Sequence, residues 1–340
     1  MTMRIAFAGD FHWQAGSSHM IAEYARAADT VGCQVAVSPQ LSRLDGSVDA
    51  HLPLVDDLTW ASHLVLVFEG RQFLDARRRE LCEAFPRHRR IVLDPDAHWG
   101  QPVTCGADDS AGPLGHQAWQ ELYHELSDMV LQPRLGPLPP GAQFFSYFGM
   151  PDPVPAPGAP LYDLQYVGAN WWRWQQWTEL VRAARPELSR LRVCGRWWEG
   201  PPHPDHLVAT ANRPGWLRRH GVEVCPPVPF GQVVATMAQS VLTPVLARPL
   251  LAEQHLLTPR MFETLAAETL PVIPADLAYT SGLYGDGIAP FVLGEDPAED
   301  LARLHRDADT YRPQAATLRA DLYRRFNYRR VLAQLLALLP

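Results

Sequence analysis

Short apolar runs alternate with amphipathic stretches along most of the chain, a pattern that predicts alternating strands and helices. In the first part, a helix is expected over 16–31, where Met20, Tyr24 and Val31 lie on one face and Gly32 follows. Further helices are expected over 72–85 and 117–126. The strands expected in this part are 4–11, 33–37, 63–68, 90–94 and a short one at 144–147. This order is typical of a doubly wound α/β domain with a parallel sheet.

The second half of the chain repeats the same order of elements. Residues 150–160 separate the two halves and are rich in proline, which favours an extended linker. The closing segment, 313–339, is amphipathic and predicts helix. We expect domains over 1–150 and 161–312, joined by a linker at 151–160 and followed by a helical segment at 313–340. The strands expected in the second half are 164–168, 191–195, 221–225, 240–246 and 270–273, and the longer helices are 170–184 and 230–240.

The most informative stretch is 256–276, which predicts a loop, a short helix and a buried strand. Thr258 suits the position that caps the helix, and Pro259 suits its first turn. Arg260 and Glu263 are three residues apart, so they lie on one side of the helix close to its positive end. This arrangement suits a ligand with an anionic group and a diol. The alternative is an ordinary surface ion pair.

The same stretch, Arg260-Met-Phe-Glu-Thr-Leu-Ala, resembles the donor-site motif of GT-B glycosyltransferases, especially family 4 and the CgeB-like group. The resemblance implies that Glu263 binds the ribose of a nucleotide sugar. It also implies two Rossmann-like domains that face each other across a cleft, with a C-terminal helix that crosses back to the first domain. The sequence departs from the motif where Glu268-Thr269 replaces a small pair, and where His255 replaces an acidic residue.

Other positions in the second half match the donor side of this family. The stretch Tyr166-Val-Gly-Ala-Asn-Trp-Trp-Arg resembles the opening of a donor domain, where a glycine and a basic residue approach the diphosphate. Without the later motif, this stretch would be read as a plain turn with a solvated Arg173. Asp286 is expected to touch a sugar hydroxyl, or else to form a simple turn. The expected donor-binding residues are Gly168, Asn170, Arg173, Arg196, Thr258, Arg260 and Glu263.

The loop after the first strand is expected to form the acceptor side, because open α/β sheets bind ligands at the carboxyl ends of their strands. It lacks the Gly-x-Gly-x-x-Gly fingerprint of dinucleotide-binding loops. His12 and Asp10 are the first candidates for acid–base chemistry, and His98 beside Asp94 is the second. Acceptor or sugar contacts are also expected from Trp13, Gly16 and Ser17.

The composition of the chain indicates which binding partners and which cellular compartment to expect. The chain has 340 residues and a net charge of −7, which provides no attraction to nucleic acid or an anionic membrane. Its five cysteines include no Cys-x-x-Cys pair, so a reduced, cytoplasmic protein is expected. The early Asp10 argues against a signal peptide, and no stretch has transmembrane length. His203 and His206 have metal-like spacing in a proline-rich loop, but no metal site is expected.

The expected function is transfer of a sugar from a nucleotide-diphosphate sugar to a small-molecule, glycan or peptide acceptor, without a cofactor or metal. The family resemblance leans towards retention of configuration. Catalysis would depend on stabilising charge on the leaving nucleotide and on domain closure. The alternatives are a nucleotide-sugar epimerase of the same fold and a non-catalytic protein that binds nucleotide or sugar.

Overall fold

The computed structural model describes residues 2–11, 16–44, 52–68, 71–99, 112–155 and 158–339. The chain divides into two units, and within the described residues it passes between them at Gly149/Met150 and again at Arg325/Phe326. Unit 1 contains the N-terminal part of the chain and its last residues. Unit 2 contains Met150–Arg325. The second passage lies later than the expected position at 313, because the long helix over 308–326 stays with unit 2 up to Arg325.

Among its described residues, unit 1 has a parallel sheet in the order β2-β1-β4-β5-β6-β7, with β3 paired to β1. β6 was not expected, and β7 lies earlier than predicted because Tyr147 has a positive φ of 61° that breaks an extended strand. The strands are β1 (Met3–Phe11), β2 (Cys33–Val37), β3 (Arg43–Leu44), β4 (His63–Val67), β5 (Arg90–Leu93), β6 (Met129–Gln132) and β7 (Ala142–Phe144). The helices are α1 (Gly16–Val31), α2 (Arg71–Ala84), α3 (Gly112–Leu126) and the final helix α12 (Tyr328–Leu338).

The final helix α12 packs against α1, which confirms the expected return of the chain end to the first domain. The rings of Tyr24 and Tyr328 lie 5.9 Å apart, edge to face. The Tyr24 hydroxyl donates a hydrogen bond to the Tyr147 carbonyl at 2.5 Å, and burial raises the pKa of Tyr24. A Cβ added to Gly149 would lie 2.7 Å from the Tyr328 ring, so this glycine allows the helix to approach. Aromatic packing therefore fixes the chain end to unit 1.

Unit 2 has a parallel sheet in the order β10-β9-β8-β11-β12. Successive strands extend from β8 to one side, and the chain then returns to place β11 on the other side. This reversal next to β8 is the place where doubly wound sheets open a crevice for ligands. The strands are β8 (Tyr162–Val167), β9 (Leu191–Cys194), β10 (Val222–Cys225), β11 (Ser240–Pro244) and β12 (Leu270–Val272).

The helices of unit 2 lie between and after these strands. They are α4 (Trp174–Ala184), α5 (Trp216–Arg219), α6 (Val233–Met237), α7 (Pro249–Glu253), α8 (Pro259–Ala266), α9 (Ser281–Tyr284), α10 (Pro297–Arg306) and α11 (Ala308–Phe326). The helix α4 begins four residues later than predicted, because Trp172 has a φ of 61° and cannot join a right-handed helix. None of the described helices combines the length and apolar character that a bilayer span requires.

Candidate functional site

The carboxyl ends of β8 and β9 are held together by contacts between their backbones. Gly168 follows β8 and Gly195 follows β9. A Cβ added to Gly195 would lie 2.0 Å from the Gly168 carbonyl oxygen, a distance that no side chain tolerates. The Trp198 indole N–H donates to the same carbonyl at 2.7 Å. Glycine at position 195 is therefore required for this close approach, and it brings the loops after both strands side by side.

Asn170 fixes the long loop that follows β9. Its side chain is fully buried, and Nδ2 donates to the carbonyls of Trp197 at 3.0 Å and Ala211 at 2.9 Å. Trp197 has a φ of 64°, an unusual conformation that these bonds help to hold. Asn170 was expected to contact the donor directly. Its amide nitrogen is committed to the backbone and positions the loop. Its buried Oδ1 has no hydrogen-bond partner among the described residues, and the expected donor contact stays a prediction.

Arg173 links the loops that follow β8 and β11. Its Nε donates to the Leu246 carbonyl at 3.2 Å, and Nη1 donates to the Trp171 carbonyl at 3.0 Å. Arg173 is thus held between these two loops, and its expected contact with phosphate stays a prediction. Arg196, by contrast, is exposed beside Gly195 at the carboxyl end of β9.

The N-terminus of α8 lies at the same edge, because a crossover helix starts where the preceding strand ends. Pro259 is the first residue of this helix, as predicted, and Thr258 precedes it with extended backbone. The Thr258 side chain does not cap the helix. It is 5% exposed, and its buried hydroxyl has no hydrogen-bond partner in the structure. A helix N-terminus with an unused hydroxyl has the donors that an anion needs.

Arg260 and Glu263 form an ion pair in the first turn of α8. Arg260 Nη1 lies 2.8 Å from Glu263 Oε2, and the side chains are 16% and 7% exposed. The guanidinium carbon lies 5.7 Å from the centre of the Tyr166 ring on β8, in a cation–π contact. Among the described residues, Arg260 is the only partner of Glu263 Oε2. The alternative of an ordinary surface pair does not fit, because both charges are largely removed from water.

Two other positions that the family resemblance brought up are His255, which departs from the motif, and Asp286. His255 has a φ of 55° and stacks on the Tyr279 ring at 4.6 Å. The Tyr279 hydroxyl donates to the Leu256 carbonyl at 2.9 Å, which orders the approach to α8, and burial raises the pKa of Tyr279. Asp286 is exposed at the start of a short 3-10 helix, Asp286–Phe291.

The corresponding edge of the sheet in unit 1 is built around Asp94, directly after β5. This buried carboxylate accepts hydrogen bonds from the His98 amide at 2.9 Å, the Trp99 amide at 2.8 Å and Gln132 Nε2 at 2.7 Å. Burial raises the pKa of Asp94, although the His98 charge and these hydrogen bonds oppose the shift. The His98 ring stacks face to face on Trp119 at 4.2 Å. These contacts favour a structural role for His98 in holding this turn.

The remaining acceptor-side positions lie near the end of β1. Asp10 is buried and is the register partner of Arg43 on β3. Gly16 and Ser17 form the first turn of α1. His12 and Trp13 lie outside the described residues. Among the described residues there is no cluster of three side chains that could hold a metal ion.

Comparison with known proteins identifies the fold. Residues 173–337 match the family model Glyco_trans_1_2, described as glycosyl transferase-like. No curated protein sequence matches the chain. The structure of an alpha-glucosyltransferase in complex with UDP is similar over 99% of this chain and 100% of that chain, with 11% identity and a TM-score of 0.68.

A second structure of an alpha-glucosyltransferase contains UDP and a 13-mer DNA with an HMU base, and has 10% identity and a TM-score of 0.66 over the full length of both chains. The beta-glucosyltransferase of phage T4 in complex with its UDP-glucose substrate has 14% identity and a TM-score of 0.57, over 98% of this chain and 97% of that chain. The chain therefore has the GT-B fold, with two parallel α/β sheets, and its residues 173–337 match a glycosyl transferase-like family.

Proposed function

We propose that this protein is a glycosyltransferase that moves a hexose from a UDP-sugar to a small-molecule, glycan or peptide acceptor. The observation that carries the proposal is the buried pair of Arg260 and Glu263 beside the unused Thr258 hydroxyl. The glycosyl transferase-like match covers this pair, and the similar structures bind UDP or UDP-glucose. UDP is therefore the nucleotide proposed here.

In this proposal, the N-terminus of α8, Thr258 and Arg260 hold the diphosphate. A guanidinium and a helix N-terminus together provide several N–H donors and a positive potential for phosphate oxygens. Glu263, held by Arg260, accepts hydrogen bonds from the vicinal hydroxyls of the ribose. Arg196 would supply a second positive charge from the end of β9. As the bond to the sugar breaks, these groups stabilise the negative charge that develops on the leaving UDP.

The acceptor is proposed to be something other than nucleic acid, although one of the similar enzymes has DNA bound. The net charge is −7. Three arginines of α2 are paired with carboxylates: Arg77 with Glu80, Arg78 with Glu125, and Arg79 with Glu83. Charges that are already neutralised in this way attract a phosphate backbone weakly. Transfer to DNA that depends strongly on salt would contradict this part of the proposal.

Three further points remain proposals: retention of configuration, transfer without a resident metal, and a catalytic role for His12 with Asp10. Retention rests on the family resemblance, and the similar enzymes include both an alpha- and a beta-glucosyltransferase by name. NMR analysis of the product anomer would test it. Full activity in EDTA is the expected result for transfer without a metal.

If His12 is a base, replacing it by Ala should reduce transfer by a factor of about 10² to 10⁴ while UDP binding persists.

The central test is UDP binding measured by calorimetry with wild type and Glu263→Ala. Loss of a charged acceptor for two hydroxyls should weaken binding about 10- to 100-fold. Asp300→Ala is the matched control, because Asp300 and Arg303 in α10 form an ion pair of the same spacing at 2.9 Å. Equal UDP affinity in wild type and Glu263→Ala would overturn the assignment of the donor site.

Two rival functions share the same donor site and need a separate assay. An epimerase would change the sugar of the UDP-sugar with no acceptor present. A binding protein would retain UDP affinity but show no turnover with any acceptor. Incubation with UDP-glucose alone, followed by analysis of the sugar nucleotide, distinguishes the epimerase from the transferase proposed here.

A further inference from the structure

The C-terminal end of α8 is bound by two distant parts of the chain. The last carbonyls of a helix have no partner within the helix itself. Here the Leu265 carbonyl accepts a hydrogen bond from Arg319 Nε of α11 at 2.7 Å. The Ala266 carbonyl accepts one from the Val154 amide at 2.9 Å. The helix that carries Arg260 at its start is thus held at its end by α11 and by the proline-rich segment.

Each of these parts lies close to one of the two places, within the described residues, where the chain passes between the units. Val154 lies four residues after Met150, and Arg319 lies six residues before Arg325. The two segments are also tied to each other, because the Tyr323 hydroxyl donates to Asp152 Oδ1 at 2.5 Å. All of these contacts lie within unit 2. The end of α8 is therefore the common anchor of both passages.

Glu268 strengthens this anchor at some conformational cost. It follows α8 with a φ of 55°, in the left-handed region where glycine is the usual residue. Its Oε1 lies 3.5 Å from Arg319 Nη1, and the Arg319 side chain is only 13% exposed. Burial lowers the pKa of Arg319, and the Glu268 charge opposes this shift. The glutamate thus pairs with the arginine beside the helix end, where a positive charge is favourable.

We propose that Arg319 is a positioning residue that couples nucleotide binding at the start of α8 to the order of the chain at both passages. The inference rests on the proposed function, since it takes UDP as the ligand at Arg260 and Glu263. The helix has eight residues, so about 12 Å separates its ends. The hydrogen-bonded turns move as one body, and a ligand that fixes Arg260 also fixes the carbonyls held by Arg319 and Val154.

Hydrogen exchange gives a direct measurement of this coupling. In the sequence Pro151-Asp-Pro-Val-Pro155, only Asp152 and Val154 have a backbone amide, so a peptide over this segment reports the Val154 bond almost alone. UDP should slow exchange of the Val154 amide in wild type about fivefold or more. Arg319→Met should abolish that slowing and weaken UDP binding about fivefold or more. Arg319→Lys, which retains a charge and a donor, should restore part of both effects.

Arg325→Met is the matched control, because Arg325 also lies on α11 and donates from Nη2 to a carbonyl, that of Leu283, at 2.7 Å. It should leave the effect of UDP on Val154 in place. If Arg319→Met does not fold, Glu268→Gly tests the same contact, since glycine suits the left-handed position and removes only the ion pair. It should reduce the slowing at Val154.

The two proposals fail in different ways. If UDP binds wild type but leaves the exchange of Val154 unchanged, the coupling is overturned and the donor site stands. The same conclusion follows if Arg319→Met and Arg325→Met behave alike. If UDP does not bind wild type at all, the proposed function is overturned, and the coupling with it.

Discussion

The two sheets each place a buried carboxylate at their carboxyl edge, and the two carboxylates are used differently. Asp94 in unit 1 accepts hydrogen bonds from two amides of its own turn and from Gln132. Glu263 in unit 2 has only the Arg260 guanidinium as a partner among the described residues, in the same helix turn that follows the unused hydroxyl of Thr258. The position of a polar residue at a strand end is therefore a weak indication of a ligand site. What distinguishes the sites is whether the protein already satisfies the polar group.

Gly195→Ala should have the largest effect, because it breaks the backbone contact that builds the unit 2 edge. The added Cβ would lie 2.0 Å from the Gly168 carbonyl, so one of the two loops must move. We expect a loss of about 4 kcal/mol in the free energy of unfolding and loss of UDP binding. Gly231→Ala is the control, since nothing lies within 4 Å of its added Cβ. Similar urea midpoints for the two variants would contradict this account of the edge.

Much of the fold and part of the site could be predicted from the sequence, because their signals are local. The helix over Gly16–Val31 and the strand over Cys33–Val37 have the predicted bounds. The ion pair of Arg260 and Glu263 follows from a spacing of three residues in one helix turn.

The roles of other residues depend on contacts that no local pattern encodes. Asn170 donates to the Ala211 carbonyl, 41 residues away, and Arg173 donates to the Leu246 carbonyl, 73 residues away. Both residues follow β8 at the edge of unit 2, and the partners that hold their side chains are backbone carbonyls. Such partners become visible only once the strand order is known.

Asp94→Ala tests the carboxylate at the sheet edge of unit 1. It would leave the backbone amides of His98 and Trp99 without their buried acceptor and remove one of the two acceptors of Gln132 Nε2, at a cost of about 3 kcal/mol in unfolding free energy. UDP affinity should not change, because the proposed donor site is built from residues of unit 2. The exposed Asp56→Ala is the control for stability. A clear loss of UDP affinity in Asp94→Ala would show that the two edges are not independent.

Arg260→Lys should give a smaller and more selective effect. Lysine keeps the charge but loses the planar arrangement of donors, so UDP affinity should fall about tenfold, or 1.4 kcal/mol, with little change in unfolding free energy. Arg303→Lys is closely matched, because Arg303 pairs with Asp300 at 2.9 Å and lies 5.4 Å from the Tyr311 ring centre. If both variants bind UDP as wild type does, Arg260 contributes only charge or packing.

The smallest effects concern pH. The pKa values of two buried carboxylates, one in each unit, are shifted in opposite directions. Asp163, at the start of β8, is also buried. Burial would raise its pKa, but hydrogen bonds from Arg190 Nε at 3.0 Å and Nη2 at 2.6 Å, together with backbone amides, outweigh this and lower the pKa. For Asp94, burial is the largest cause and the net shift is upward. The arginine partner of Asp163 thus outweighs the effect of burial on the pKa of the carboxyl group.

These shifts predict opposite pH dependences of stability, each measured as the difference in melting temperature between wild type and an Asp→Asn variant. An unfolded aspartate has a pKa of about 3.9. Because the pKa of folded Asp163 is lower, its contribution is complete above about pH 4 and is lost as pH falls through the folded pKa. Because the pKa of folded Asp94 is higher, the folded state keeps this proton to a higher pH, and stability falls as pH rises above about 4.

The advantage of wild type over Asp163→Asn should therefore shrink in acid, whereas its advantage over Asp94→Asn should shrink towards neutral pH. Parallel curves for the two variants would mean that Asp94 is stabilised as an anion much as Asp163 is, and the contrast between the two carboxylates would then lie in their hydrogen bonds alone.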